Sequence, residues 1–284
     1  MIYVLMAREA PRAVIFRRGP SRRVLLLTWD LETDEIVPGQ WFKGRVYEHR
    51  CDLSPDGRLL IYFAAKFWRN PNAWTAISKP PYFTALALWM KHTTWGGGGL
   101  FDSATSIALN HRAEDFALAA GFELPPELTV YPIAPWAGGG EDEPILSTRL
   151  ARDRWRLTEP GRTVERGRKA SVWLQVEPPT TLEKLHPLAA ERYTLRALIT
   201  GIQERQGAWY RMEHFVGDSH PIGRSDWADW APNGDLLFSI GYSIYRLRYA
   251  DGALAPLAEA RKIADLTNAT FREVAAPPEA RQWF

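Results

Sequence analysis

Leu53-Ser-Pro-Asp-Gly57 leads into Arg58-Leu-Leu-Ile-Tyr-Phe-Ala-Ala65, and Trp230-Ala-Pro-Asn-Gly234 leads into Asp235-Leu-Leu-Phe-Ser-Ile-Gly241. Each has an apolar anchor, a proline, an Asp-Gly or Asn-Gly pair and a strand-like run. Proline pre-sets φ, and the Asp-Gly or Asn-Gly pair supplies the positive φ that turns between adjacent strands need. The anchors lie 177 residues apart, four steps of about 44. Trp95-Gly-Gly-Gly-Gly-Leu-Phe101 and Trp136-Ala-Gly-Gly-Gly140 read as further copies, with steps of 42 and 41 residues from Leu53. Each leads towards a β-like stretch, at 103–109 and 145–150. Degenerate copies fall near Leu185-His-Pro187 and at Ala10-Pro-Arg12.

A second landmark accompanies the first. Tyr245-Arg-Leu-Arg-Tyr249 alternates with period two before turning at Asp251-Gly252, and 24–31 leads into Glu32-Thr-Asp-Glu35 in the same way. A period near 44 holding several short strands matches a β-propeller blade, whose repeats run about 40–45 residues. The phrase Ser54-Pro-Asp-Gly-Arg-Leu-Leu60 resembles that of TolB-like and WD40-type propeller repeats, as does Thr28-Trp29-Asp30-Leu31. The resemblance covers the two ends of the chain and fades in the middle. It implies a propeller fold, a class that serves mainly as binding platforms. The expectation is an all-β protein, one domain over 1–284, with six imperfect four-stranded blades. Short helical insertions are expected at 112–120, 180–190 and 278–283, and the region 110–200 departs most from the repeat. A pair of β-sandwiches is the rival architecture, but it gives no reason for evenly spaced turns.

The chain has 284 residues, 46% hydrophobic and 24% charged, an ordinary globular composition. Lys and Arg exceed Asp and Glu by only 35 to 33, which gives no general pull towards nucleic acid or membrane. A single cysteine, Cys51, excludes an intramolecular disulfide framework and any zinc site built on several cysteines. The apolar stretch near the N-terminus, 2–6, is too short for a signal h-region, and no apolar run reaches the ~18 residues of a membrane span. The expected location is the cytoplasm. Only seven of the 35 basic residues are Lys. That bias reads as the imprint of a GC-rich genome rather than as anion recognition.

The chemical motifs each have a structural reading. Gly96–Gly99 offers backbone amides to an anion, but no Lys-Ser/Thr follows it, so it reads as a turn. His214, Asp218 and His220 carry ligand types able to hold a divalent metal and are the best metal candidates in the chain. His49 and Cys51 share one strand face, which reads as the core side rather than a catalytic dyad. Glu141-Asp-Glu143 reads as a solvated turn. Arg152, Arg154 and Arg156 would share a strand face, and with Arg166 and Arg168 they form the densest basic cluster, interleaved with Trp155 and Trp173. Trp68, Arg69 and Trp74 surround the turn Asn70-Pro-Asn72. Trp beside Arg is composed like an interface hot spot, and equally like a buried wedge between blades.

Two function classes follow. The first is a non-catalytic interaction module that takes a protein partner, or an anionic ligand, on one ring face. Its contacts would be Trp68, Arg69, Trp74, Arg152, Arg154, Arg156, Arg166 and Arg168, and it needs no cofactor. The second is a metal-assisted hydrolase or lyase with His214, Asp218 and His220 at the central mouth. Nucleic-acid binding is a less favoured variant of the first, and a membrane partner is not expected.

Overall fold

The computed structural model describes residues 1–19, 22–67, 72–164, 174–203, 209–217 and 220–283. The protein is all-β. Among the described residues its strands form five successive sheets and one two-stranded ribbon, with a single α-helix. No helix among them is long and apolar enough to cross a membrane. Contacts divide the chain into two compact units, Tyr3–Arg149 with Thr270–Phe284, and Leu150–Ala269 with Met1–Ile2.

In the first unit the opening sheet is a meander of Ile2–Met6, Arg12–Arg18, Arg23–Asp30 and Ile36–Lys43. The second sheet runs Leu60–Lys66, Asn72–Ser78, Ala85–Lys91. Its outer edge is split into Arg45–Val46 and Asp52–Leu53 by the 3-10 turn Glu48–Arg50. Both faces of Leu60–Lys66 are buried as far as Ala65, which explains its apolar sequence up to that residue. Leu60 and Tyr62 pack with Val14, Phe16 and Leu26 of the first sheet, and Ile61 packs with Phe101, Ile107 and Leu109 of the third. That third sheet is short: Gly99–Phe101, Ser106–Leu109 and Thr129–Pro132, the last two parallel.

The last residues of the chain strap this unit. Phe271 lies 6.1 Å from Trp41, with Arg23 and Lys43 at 4.7 and 5.4 Å from its ring. Gln40 donates to the Val274 carbonyl, Lys79 to that of Glu279, and the Trp283 indole to that of Glu123.

The second unit holds a large antiparallel sheet, Arg156–Glu159, Leu174–Leu185, Thr194–Gln203, Trp209–Val216 and His220–Arg224, with Thr163–Val164 beside Leu174–Leu185. A four-stranded sheet follows, Ala228–Trp230, Leu236–Ile240, Ser243–Leu247 and Arg261–Asp265.

The two quoted turns share a hydrogen-bond scheme. Leu53 pairs with Leu60 and Trp230 with Leu236, so the first loop is one residue longer. Gly57 N–H donates to Ser54 and Gly234 N–H to Ala231, with φ of 75° and 89°. In each, the Asp56 or Asn233 side chain accepts the amide two residues on, an Asx turn.

Several expectations are corrected. The stretch 145–150 is not β but part of the helix Ile145–Arg152, whose buried Ile145 and Arg149 stand at i, i+4. Arg152, Arg154 and Arg156 therefore form no strand stripe: Arg152 ends the helix, Arg154 turns with φ 68°, and Arg156 opens a strand. The segment 180–190 is strand as far as Leu185, its β-branched Thr180 and Thr181 paired with Ile199 and Leu198. At 112–120 only the 3-10 turn Ala113–Asp115 forms, because Ala119 gives its amide to Leu88 of the second sheet. The last insertion, at 278–283, does contain the 3-10 turn Pro278–Ala280. Trp95 and Trp136 are not buried anchors like Leu53 and Trp230; they are 53% and 63% exposed.

Candidate functional site

Both exposed tryptophans stand on glycine runs that pack against each other within the first unit. Gly96, Gly97 and Gly98 have φ of 70°, 88° and 86°, and Gly138 and Gly140 have 90° and 73°. Gly96 N–H donates to the Gly140 carbonyl at 2.7 Å, and a Cβ at Gly96 would lie 2.5 Å from the Gly138 oxygen. Only glycine permits both the left-handed φ and that approach. Asn110, fully buried, joins the runs. Its backbone exchanges hydrogen bonds with Gly97 and Gly98, while its side chain accepts from Gly138 N–H and donates to the Gly139 carbonyl.

Beneath the runs lies a buried charged network. The Arg50 guanidinium donates to Asp142 at 3.0 Å and to the carbonyls of Thr94 and Gly96 at 2.7 and 2.9 Å, stacked over Tyr47 and Phe63. His49 Nδ1 meets the other Asp142 oxygen at 3.2 Å. Burial alone would raise the Asp142 carboxyl, but the His49 hydrogen bond and the charges of His49 and Arg50 hold it well below the carboxylate range. Arg149 reaches the carbonyls of Glu48 and Cys51 and the Tyr3 hydroxyl; Arg18 pairs with the Glu48 carboxylate. Arg50 and Arg149 each donate to two backbone carbonyls, so the network fixes backbone rather than presenting charge.

A neutral histidine completes the support. His111 Nδ1 faces the Asp115 carbonyl at 2.9 Å, so it must carry the proton, leaving Nε2 to accept from the Thr75 hydroxyl at 2.7 Å. Thr75 Oγ1 in turn accepts Gly98 N–H. Burial lowers the His111 pKa to about 4.

The residues singled out from sequence are scattered. Trp74 lies on the strand Asn72–Ser78, half-buried, edge-on to Phe42 at 5.7 Å. Trp68, Arg69, Arg166, Arg168, Trp173 and Asp218 lie outside the described residues. Arg152 pairs with its neighbour Asp153, while Arg154 and Arg156 are exposed. Trp155, interleaved with the basic residues in sequence, is buried in the core of the second unit. His214 is buried, its Nδ1 2.5 Å from Ser225 Oγ, and burial pushes its pKa down to about 3. His220 opens the next strand, its backbone paired with Val216. Among the described residues no three His, Cys, Asp or Glu side chains group as metal ligands.

Cys51 is fully buried and its thiol donates to the Tyr47 carbonyl; burial raises its pKa, and its neighbour His49 turns to Asp142. Asp142 is not part of a solvated turn but 6% exposed. The sequence reading missed Arg50, Asp142 and Arg149, because a buried Arg looks like a surface Arg in a string of letters. For Trp95 and Trp136 a signal existed: neither sits in an alternating apolar run.

No protein-family model matches the chain, and no curated protein matches it in sequence.

Proposed function

We propose that this chain is a non-catalytic interaction module of propeller-like construction that binds a protein partner through Trp95 and Trp136. The observation that carries this is the pairing of two exposed tryptophans with rigid, internally satisfied glycine runs. Large aromatics held in place lose little entropy on binding and are the typical anchors of interfaces. Each consecutive sheet is taken as one blade. The four-stranded meanders beginning at Ile2 and Ala228 support that, and five sheets favour five blades over the six that spacing alone predicts. Arg154 and Arg156, both exposed, are the candidates for an anionic contact on the second unit.

The test is affinity capture from native lysate with nuclease present, comparing the natural chain with Trp95→Ala/Trp136→Ala. One stoichiometric protein should be captured by the natural chain and weakened by at least ~30-fold in the double variant at unchanged melting temperature. A partner that binds both equally refutes the assignment of this face.

A further inference from the structure

A second feature of the first unit is independent of the tryptophan face. Where the first sheet meets the turn at Gly57, a cleft of about 450 Å³ opens, within the size range of small-molecule sites. Its apolar lining includes Ala13, Val37, Leu59 and Pro80.

Both acidic lining residues belong to the first sheet, and two of the three basic ones to the second. Asp30 and Glu35 bracket the turn that ends the strand Arg23–Asp30, on the first sheet. Arg58 follows Gly57 and Lys79 follows the strand Asn72–Ser78, both on the second. Arg12 stands on the first sheet too, directly opposite Asp30 in the strand register. Its position depends on the glycine: a Cβ at Gly57 would lie 2.8 Å from Arg12 Cβ and 3.2 Å from its Cδ, so the bare turn lets the arginine stem lie along the rim. Asp30 accepts the amides of Thr33 and Glu32 at 2.9 and 3.0 Å. The Thr33 amide above all holds its carboxyl below the usual range, so Asp30 stays charged at neutral pH.

The cleft does not follow from the turn itself. At the matching turn of the second unit the rings of His186 and Tyr249, in place of an arginine stem, lie 2.8 and 2.9 Å from where the Gly234 Cβ would be.

We propose that the cleft binds a small zwitterion of the amino-acid class, its ammonium towards Asp30 and Glu35, its carboxylate towards Arg58 and Lys79, and its side chain on the apolar lining. A lining of one sign would select a simple anion or cation; two opposed signs across an apolar lining select a molecule carrying both, with a guanidinium suited to a carboxylate.

Calorimetric titration of the full chain with phenylalanine, N-acetylphenylalanine and phenylalaninamide tests this. Phenylalanine should bind saturably, and each blocked form, lacking one charge, should bind at least about tenfold more weakly. Arg58→Glu and Glu35→Lys change residues on turns, and each should weaken phenylalanine at least about tenfold with the melting temperature preserved. Equal affinity for all three probes, equal affinity in both variants, or no saturable binding up to about 10 mM would overturn the proposal.

Discussion

The turns at Gly57 and Gly234 begin from nearly the same sequence and end in opposite surroundings. Both close a hairpin with an Asx turn and a left-handed glycine. Yet Gly234 is roofed by His186, which accepts the amides of Leu188 and Ala189 on Nδ1 and packs against Trp230 and Tyr249 at 4.6 and 4.3 Å. Gly57 is met by Ala7 and the stem of Arg12, beside an open cleft. The next residue repeats the contrast: Asp235 is buried and paired with Arg246 at 2.7 Å, whereas the Arg58 side chain is 71% exposed. A turn's shape is written in its own four or five residues. What covers it is decided by residues outside the turn, from Tyr249, 15 positions from Gly234, to Ala7, 50 positions from Gly57.

Acid gives the largest expected effect and acts on both units. His111 and His214, one in each, are held neutral, with pKa values of about 4 and about 3 against an ordinary 6.5. Between those values the unfolded chain binds a proton that the folded chain does not. Their stability contribution is therefore whole above pH ~6.5 and is lost as pH falls, by about 3 and about 5 kcal/mol at the limits. Urea midpoints measured from pH 7.5 to 4.5 should fall steadily, and His214→Asn should flatten the slope whatever it does to the midpoint at pH 7.5. A slope unchanged by that substitution would remove His214 from the account.

Next come the residues after the turns. Arg246→Ala removes the cation from the buried Asp235 carboxylate, which keeps the Asn233 amide and the Tyr249 N–H, and should cost about 3 kcal/mol. Arg58→Ala should stay within about 0.5 kcal/mol, because its ion pair with Asp56 is exposed and 3.6 Å long. Equal costs would abolish the contrast. The roofs themselves should differ by less: His186→Ala empties an aromatic cluster and should cost about 2–4 kcal/mol, and Arg12→Ala under about 1 kcal/mol. Thermal and urea denaturation of the two variants checks this pair.

Much of the fold was legible. Pro-Asp-Gly and Pro-Asn-Gly announced their turns because proline and glycine restrict φ locally, and the runs after them could hardly be anything but strand. The helix Ile145–Arg152 was not legible: its start is tied down by Leu146 N–H to the Asp142 carbonyl and by the Ser147 N–H and hydroxyl to the Glu143 carboxylate, within a segment that also satisfies Arg50. The strand to Leu185 was misread for the opposite reason: Thr-Thr resembles a helix cap until a neighbouring strand offers both residues a β partner. Of the tryptophan face, the residues were visible but their exposure was not, since the glycine runs that lift them meet only in three dimensions. The charged cleft was invisible altogether, its lining gathered from four separate stretches of chain.

The strap formed by Phe271, Val274, Glu279 and Trp283 bears on how the protein is made. The first unit takes its final contacts from residues translated after the whole of Leu150–Ala269. At about 5–20 residues per second, the ribosome holds an unstrapped first unit for on the order of ten seconds. Throughout that interval Trp41, Arg23 and Lys43 await Phe271, so the aromatic and cationic edge they form lacks its partner until residues beyond the second unit emerge.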